Sequence, residues 1–389
     1  MSKTFTVDVV PQVLSWLRTS AGWEIEEVAK RLGTTVEVVK DLESGKRSPT
    51  MRQLHVLSEI YKRPIASFFL SKPKQESPMP KDYRLIPNKT NVFDRKTMLA
   101  IRRTRSLQNL SKELSLNINY ATKTEIKSAK LTGNPELTAS EYRKILDLDI
   151  EKQRKFSDAY KMLGHLRDVL EDLNILVFQF SMPIEDARGF ALADETPNII
   201  VINSKDSIEA RLFTLMHEFG HIILGETVID LPEESLHVRN NIEAWCNSFS
   251  SAFLLPKEVS IDLFNKNKYK LTETDILNAL SKKYKVSKAV LLVKMVNLNY
   301  ISRQEFESVL ARYAPKGTKV EKPVTGMASD QRCLSEVGNK FVSLVANNFD
   351  KDFITYNDAL SFLSIKSRNF DKVLIEVISN QRHKFITHF

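Results

Sequence analysis

The sequence is poor in cysteine, since Cys246 and Cys333 are the only two among its 389 residues. Two cysteines cannot build the disulfide framework of a small secreted domain, and this scarcity fits a reducing compartment. The sequence also lacks any run approaching roughly 18 consecutive apolar residues, the length that a membrane-spanning helix needs. Its N-terminal residues carry no apolar stretch typical of a secretory signal. We therefore expect a cytoplasmic protein without a membrane partner.

Extremes of composition are absent as well. The chain is 42% hydrophobic and 27% charged, and it has no strict internal repeat and no low-complexity tract. Such a composition is ordinary for a globular protein, and the length allows two or three domains. The chain has 57 Lys and Arg against 48 Asp and Glu, a net charge of +9. This balance weakly favours an anionic partner such as nucleic acid.

Histidine is scarce too, yet two of the seven histidines stand four residues apart in His217-Glu218-Phe219-Gly220-His221. The surrounding residues 208–224 have helical periodicity. Residues four apart lie on one face of a helix, so the two imidazoles can bind one metal ion. The apolar residues fall on another face, which predicts a helix that packs on one side and presents its histidines on the other. The pattern predicts a Zn²⁺ site at His217 and His221, with Glu218 as the general base.

A catalytic zinc ion needs a third protein ligand and one open position for water. Glu243 is the best candidate, because residues 242–255 read as a second helix with an apolar stripe and a proline stop at Pro256. Gly220 costs about 1 kcal/mol relative to alanine inside a helix. Its missing side chain could let another backbone approach the site.

Simpler interpretations of these residues stay open. Two histidines on a helix are often ordinary surface or core imidazoles, and Glu243 could be a solvated carboxylate. His237 lies between the two predicted helices, where it could polarise a substrate carbonyl and stabilise the transition state, or be an exposed loop residue. Cys246 follows Glu243 by three positions and could face the site or fill the core.

The N-terminal residues 7–72 are typical of a compact helical module. Apolar residues at helical spacing near 25–32 are followed by a break at 33–35 and a second short helix, 36–43. Gly45 suits a left-handed helix cap. Two short helices joined by a tight turn that contains glycine are the signature of a helix-turn-helix.

The rest of the chain alternates between helix and strand patterns. A proline-rich linker at 73–92 precedes a basic helix at 93–114, and residues 139–173 read as helical. Strand patterns then predict a small sheet before the histidine helix, and the chain is helical after about residue 257. The predicted strands cover 175–180, 189–192 and 199–202; the last helices cover 333–349, 356–363 and 369–379.

The histidine and glutamate motifs resemble those of the ImmA/IrrE family of zinc metallopeptidases. The first match is Phe213-Thr214-Leu215-Met216-His217-Glu218-Phe219-Gly220-His221, and the second runs from Glu243 through Asn247 to Pro256. The resemblance covers roughly residues 140–310. Serines at 250 and 251 replace the family's usual alanines, a small change that leaves the ligand positions intact. In such zincins, an edge strand beside the metal helix commonly receives the substrate backbone.

The N-terminal module resembles Xre/Cro-type helix-turn-helix domains. The combined resemblance implies a mainly α multidomain protein with a small β-sheet. It would comprise a helix-turn-helix domain at 1–72, a linker and basic helix at 73–138, a zincin-like α+β metallopeptidase domain at 139–315 and a helical C-terminal module at 325–389.

The implied function is a regulatory zinc endopeptidase that cleaves a protein partner, such as a helix-turn-helix repressor or a toxin–antitoxin component. The alternative is a DNA-binding regulator or antitoxin whose metallopeptidase-like domain senses a ligand or partner and cleaves little. The intact metal motif argues against this alternative, and the basic net charge argues for it.

The N-terminal module departs from the usual Xre/Cro-type residues at the positions that would contact DNA bases. The positions that would read bases are Val36, Glu37, Lys40 and Asp41, two of them acidic, whereas DNA contacts favour Arg, Lys, Asn and Gln. Lys40 and the following Lys46 and Arg47 are the candidate DNA contacts. The basic helix could add phosphate contacts or be a solvated face. Equally, the module could dock a protein, such as a repressor of the same fold.

Overall fold

The computed structural model describes residues 5–74, 93–120, 123–124, 126–225, 228–230, 241–313 and 328–377. The chain divides into two compact units. The first comprises Met1–Met79 with Leu85–Arg105, and the second comprises Pro80–Arg84 with Ser106–Phe389. No helix in the described ranges is long and apolar enough to cross a membrane.

The first unit is a helical bundle. Its helices are α1 (Pro11–Ser20), α2 (Ile25–Leu32), α3 (Val36–Ser44) and α4 (Met51–Tyr61), followed by a 3₁₀ turn at Ile65–Phe69. Gly33 and Gly45 end α2 and α3 in the left-handed conformation, with φ of 65° and 79°. The predicted break and the predicted glycine cap are both confirmed. Apolar side chains from all four helices form one core.

The basic helix, α5 (Arg95–Asn117), begins in the first unit, and its residues from 106 belong to the second. Two of its arginines have structural roles within the first unit. Arg95 pairs with Glu27 at 3.0 Å, and its guanidinium lies 4.1 Å from the Trp23 ring. Arg102 Nη2 donates to the carbonyl oxygen of Tyr61 at 2.8 Å, at the end of α4. The sequence left two interpretations of this helix, a source of phosphate contacts or a solvated face. Arg95 and Arg102 both contact other residues of the first unit, so neither is a simple solvated charge.

The stretch 139–173, predicted as helical throughout, is divided into three helices. These are α6 (Pro135–Ile145), α7 (Ile150–Lys155) and α8 (Ala159–Asp172). The breaks follow from helix-cap chemistry. Asp149 accepts the backbone N–H of Lys152, and Asp158 accepts that of Lys161, so each carboxylate starts a new helix.

A four-stranded sheet follows, formed by β1 (Ile175–Phe180), β2 (Gly189–Leu192), β3 (Asn198–Asn203) and, later in the chain, β4 (Val228–Asp230). The strand order in the described part of the chain is β1-β3-β2-β4. β1 is parallel to β3, while β2 is antiparallel to both β3 and β4. β1 and β3 are buried along nearly their whole length, as expected of strands covered on both faces. The three predicted strands are confirmed, and β4 is an addition to them.

The second unit continues as helices. Helix α9 (Ile208–Leu224) packs against β2 and β3 and against α10 (Asn241–Leu254), which also packs on α6. The next helices are α11 (Lys257–Lys266), α12 (Thr274–Tyr284), α13 (Lys288–Asn297) and α14 (Arg303–Tyr313). One large apolar core joins these helices to the sheet.

The last described segment packs on α8 and β1. It contains α15 (Ser329–Asp350), α16 (Tyr356–Leu363), a 3₁₀ turn at Ser367–Asn369 and helical residues 370–377. Gly338 interrupts α15 with φ 79° and ψ 164°. A Cβ at this position would lie 2.0 Å from Glu171 Oε1, so only glycine lets α15 approach α8 this closely. The mainly α architecture with a small β-sheet, predicted from the sequence, is confirmed.

Candidate metal centre

Helix α9 begins where Ser207 accepts the N–H of Ala210 and ends at Gly225, with φ 76°. Its residues from Thr214 to Ile223 are all buried. The sequence pattern predicted that this helix packs on one side and presents its histidines on the other. The histidine face is also covered, because α10 packs on it.

The two helices bring His217, His221 and Glu243 together. His217 Nε2 lies 3.2 Å from Glu243 Oε2, and His221 Nε2 lies 3.3 Å from Glu243 Oε1. The two Nε2 atoms are 3.1 Å apart. One ligand atom from each residue therefore lies within 4.8 Å of the others. Glu243 is therefore not the solvated carboxylate of one interpretation, and the two histidines are not surface imidazoles.

These distances suit a tetrahedral metal ion. Two ligand atoms at about 2.0–2.1 Å from a tetrahedral zinc ion are about 3.3 Å apart. Two imidazoles and one carboxylate form the type of set that leaves a fourth position open in catalytic zinc sites. The residues present therefore fit Zn²⁺, which is the ion predicted from the sequence.

All three side chains of this cluster are buried, each no more than 1% exposed. Burial alone would raise the pKa of Glu243 because it penalises the charged form. Hydrogen bonds and charge from His217 and His221 outweigh that penalty and hold the pKa of Glu243 well below its usual range. The carboxylate is therefore ionised at neutral pH, as a metal ligand must be.

Glu218 is fully buried on the same helix. Strand β2 passes close to it at Gly189, where a Cβ would lie 3.5 Å from Glu218 Cγ and 2.5 Å from Thr214 Cγ2. This close approach at Gly189 was not predicted from the sequence. A glycine inside a strand pattern is the signal that could have found it, since it often marks a close backbone approach.

Gly220 marks the contact between the two helices. A Cβ there would lie 3.1 Å from Cys246 Sγ and 3.4 Å from Phe249 Cδ1. The atoms nearest to that position therefore belong to side chains of α10, rather than to the backbone that the missing side chain could have admitted. Cys246 is fully buried within the core, as one of its two sequence interpretations required.

His237 lies outside the described residues, so its role stays a prediction. Ser250 and Ser251, which occupy the positions of the family's alanines, are buried on α10.

The candidate DNA contacts lie in the first unit. Lys40 is exposed on α3, and Lys46 and Arg47 are exposed just after it. Glu37 is exposed on the same helix, and hydrogen bonds from its own backbone and from Thr35 lower its pKa. The surface of α3 therefore presents both charge signs, as the sequence indicated.

Comparison with protein-family models identifies two regions of the chain. Residues 170–295 match the peptidase family model described as the IrrE N-terminal-like domain, and residues 14–68 match a model described as helix-turn-helix. The first match contains the His217, His221 and Glu243 cluster. Searches of curated proteins and of solved structures found no match. The predicted architecture, an IrrE-like metallopeptidase-family domain after an N-terminal helix-turn-helix domain, is confirmed.

Proposed function

Starting from a chain that joins a helix-turn-helix domain to an IrrE-like domain, we propose that the protein is a cytoplasmic zinc-dependent endopeptidase with a regulatory role. Its substrate would be a protein partner, such as a helix-turn-helix repressor or an antitoxin. The observation that carries this proposal is the buried convergence of His217, His221 and Glu243, with Glu218 on the same helix.

The three ligand residues would hold zinc, and Glu218 would handle protons. A bound zinc ion supplies Lewis acidity and lowers the pKa of a water molecule to about 7. Glu218 would accept a proton from the attacking water and pass it to the departing amine. Because Glu218 is fully buried, its carboxylate acts in a low-dielectric setting where charge interactions are strong.

The sheet supports binding of an extended segment of substrate. Gly189 brings β2 against Glu218, so a peptide aligned with β2 would lie beside the proposed general base. β2 is not an edge strand, however, because Val228–Asp230 pairs with its outer side. A substrate strand must therefore either take the place of β4 beside β2 or pair with the outer side of β4.

The first unit would select the partner. Its match to a helix-turn-helix model and the exposed Lys40, Lys46 and Arg47 favour DNA contact. The exposed Glu37 favours a protein surface instead, because a carboxylate repels phosphate. The second candidate function is a DNA-binding regulator whose metallopeptidase-like domain cleaves little. It rests on the helix-turn-helix match and on the exposed basic side chains.

The test compares new protein N-termini in cells that express the wild type or Glu218→Gln. The substitution keeps the size of the side chain and removes the base, so we expect cleavage to fall by about 10²–10⁴-fold. Glu209→Gln, near the start of the same helix, is the matched control and should cleave like the wild type.

A repressor or antitoxin cut by the wild type and the control but not by Glu218→Gln would support the proposal. Equal cleavage by wild type and Glu218→Gln would refute the assignment of the base. No cleavage by any of the three, with zinc bound in each, would favour the DNA-binding regulator.

A further inference from the structure

Helix α10 carries Glu243, the third residue of the metal cluster, in its first turn. A side chain that binds a metal ion must be held within about 0.5 Å of its productive position, so the rotation and the axial position of the helix have to be fixed. Apolar packing against α9 is not directional, and by itself it permits small sliding and rotation. Hydrogen bonds are directional, and the structure places one set of them near each end of α10.

The contact near the start of α10 is made by Trp245, two residues after Glu243. Its Nε1 donates to the carbonyl oxygen of Gly133 at 3.0 Å, just before α6 begins. The indole ring also lies almost parallel to the ring of Phe249, with centroids 5.5 Å apart and planes 7° apart. Trp245 is 5% exposed, so this hydrogen bond is largely shielded from competition with water. It fixes the rotation of the turn that carries Glu243.

The contacts at the other end of α10 satisfy carbonyl groups that have no partner within the helix. Arg143 Nη1, on α6, donates to the carbonyl oxygen of Phe253, and Gln153 Nε2, on α7, donates to that of Leu254 at 2.9 Å. Arg143 Nη1 also donates to Gln153 Oε1 at 2.9 Å, so the two side chains act together. Burial lowers the pKa of Arg143 to about 10, which leaves the guanidinium charged at neutral pH, and a cation suits the C-terminal end of a helix.

Helix α6 contacts the histidine helix as well. Tyr142, next to Arg143, packs edge-on against Phe219 of α9 and Phe249 of α10, with ring centroids 5.0 Å and 6.3 Å apart. Its hydroxyl donates to the carbonyl oxygen of Lys127 at 2.6 Å. Phe219 stands between the two histidines in the sequence of α9. One helix therefore holds both of the helices that carry the metal cluster.

Gly133, Arg143 and Gln153 all precede residues 170–295, the region that matches the peptidase family model. We propose that this upstream segment, residues 133–153, positions Glu243 for metal binding, with Arg143 and Trp245 as positioning residues at the two ends of α10. The inference rests on the zinc site of the proposed function, but it does not depend on cleavage of a partner. If the same contacts only stabilised the helix, their loss would lower stability without changing the zinc affinity of the folded protein.

The test measures the zinc affinity of the full-length protein by competition with a chelator, under conditions in which each variant is fully folded. Trp245→Phe removes the Nε1 donor and keeps an aromatic ring against Phe249. We expect zinc binding about tenfold weaker, at the lower end of the losses that follow removal of an outer partner of a metal ligand. Trp23→Phe is the matched control, because Trp23 Nε1 donates to the carbonyl oxygen of Ile60 at 3.1 Å in the first unit. This control should keep the wild-type zinc affinity.

Arg143 provides an independent pair of variants. Arg143→Met removes both Nη1 hydrogen bonds and should weaken zinc binding to a similar extent, whereas Arg143→Lys keeps a charged donor and should recover most of the affinity. The visible absorption spectrum of the Co²⁺-substituted protein reports the coordination geometry of the metal. We expect that spectrum to change in Arg143→Met and Trp245→Phe and to resemble the wild type in Arg143→Lys.

Weaker zinc binding in Trp245→Phe and Arg143→Met, with wild-type affinity in Trp23→Phe, would support the positioning role. Wild-type affinity and an unchanged Co²⁺ spectrum in both folded variants would overturn it and leave the zinc site itself intact. Absence of zinc binding by the wild type would refute the zinc site and this inference together. If one of the two variants does not fold, the other decides the outcome.

Discussion

Helices α3 and α9 follow the same local rules but place their polar side chains in opposite environments. Each begins after a hydroxyl residue, Thr35 or Ser207, and each ends at a glycine in the left-handed conformation. On α3 the charged Glu37 and Lys40 are exposed to solvent. On α9 the two histidines and the glutamate of the metal motif are buried.

The difference in burial determines how much each helix reveals about its function. Buried polar groups are costly unless a partner compensates for them, and in the cluster on α9 and α10 the two histidines and Glu243 are one another's partners. The exposed charges on α3 contribute little to the free energy of folding, whatever their sign or position. Their function therefore depends on a partner, and α3 by itself does not distinguish DNA from protein.

The largest expected effect comes from forcing α9 and α10 apart. Gly220→Val places methyl groups where even a Cβ would lie 3.1 Å from Cys246 Sγ. We expect a loss of about 3 kcal/mol in the free energy of unfolding, measured by urea denaturation, because the core has no room for the added groups. Zinc affinity should fall as well, since Glu243 lies on the displaced helix.

Gly164→Val is the control for this change, because no described atom outside α8 lies within 4 Å of a Cβ at Gly164. A stability loss at Gly220 no larger than the loss at Gly164 would contradict the packing that we describe.

A smaller effect is expected where β2 meets α9. Gly189→Ala would put a Cβ 2.7 Å from the carbonyl oxygen of Val201 and 2.5 Å from Thr214 Cγ2, so the strand must shift. We expect a loss of about 2 kcal/mol in unfolding free energy. By contrast, Gly164→Ala should gain up to about 1 kcal/mol from helix propensity. The two thermal transitions should therefore move in opposite directions from that of the wild type, and parallel shifts would count against the close approach at Gly189.

The smallest stability effect is expected on α3. Glu37→Lys should shift the thermal unfolding transition least of these variants, because the side chain is exposed. If the module binds DNA, this variant should bind more tightly, and the slope of log affinity against log salt should steepen by about 1. Unchanged DNA affinity with weaker binding to a protein partner would instead identify α3 as a protein-docking surface.

Helix α9, with its histidine motif, could be predicted from the sequence because its signals are local. The four-residue spacing of His217 and His221 and the limits of α9 follow from periodicity and caps that can be read directly. Glu243 was found through its position on a second amphipathic helix. The structure brings these three side chains together, as that reasoning required.

The features that sequence reasoning missed depend on contacts distant in the chain. β4 is three residues long, too short for a visible alternation, and it exists through its pairing with β2. At Gly220 the sequence allowed a backbone contact, because a missing side chain does not show which neighbour fills the space. The breaks at Asp149 and Asp158 were local signals that could have been read as helix caps.

Zinc binding by the purified wild type and by Glu243→Gln, measured by titration against a competing chelator, tests the metal centre most directly. Loss of an indirect metal contact typically costs 10–100-fold in affinity, so loss of a direct ligand should cost more than about 100-fold. We predict one tightly bound zinc ion per wild-type chain and loss of that binding in Glu243→Gln. Equal zinc affinity in the two proteins, or no zinc binding by the wild type, would contradict the assignment of His217, His221 and Glu243 as a metal centre.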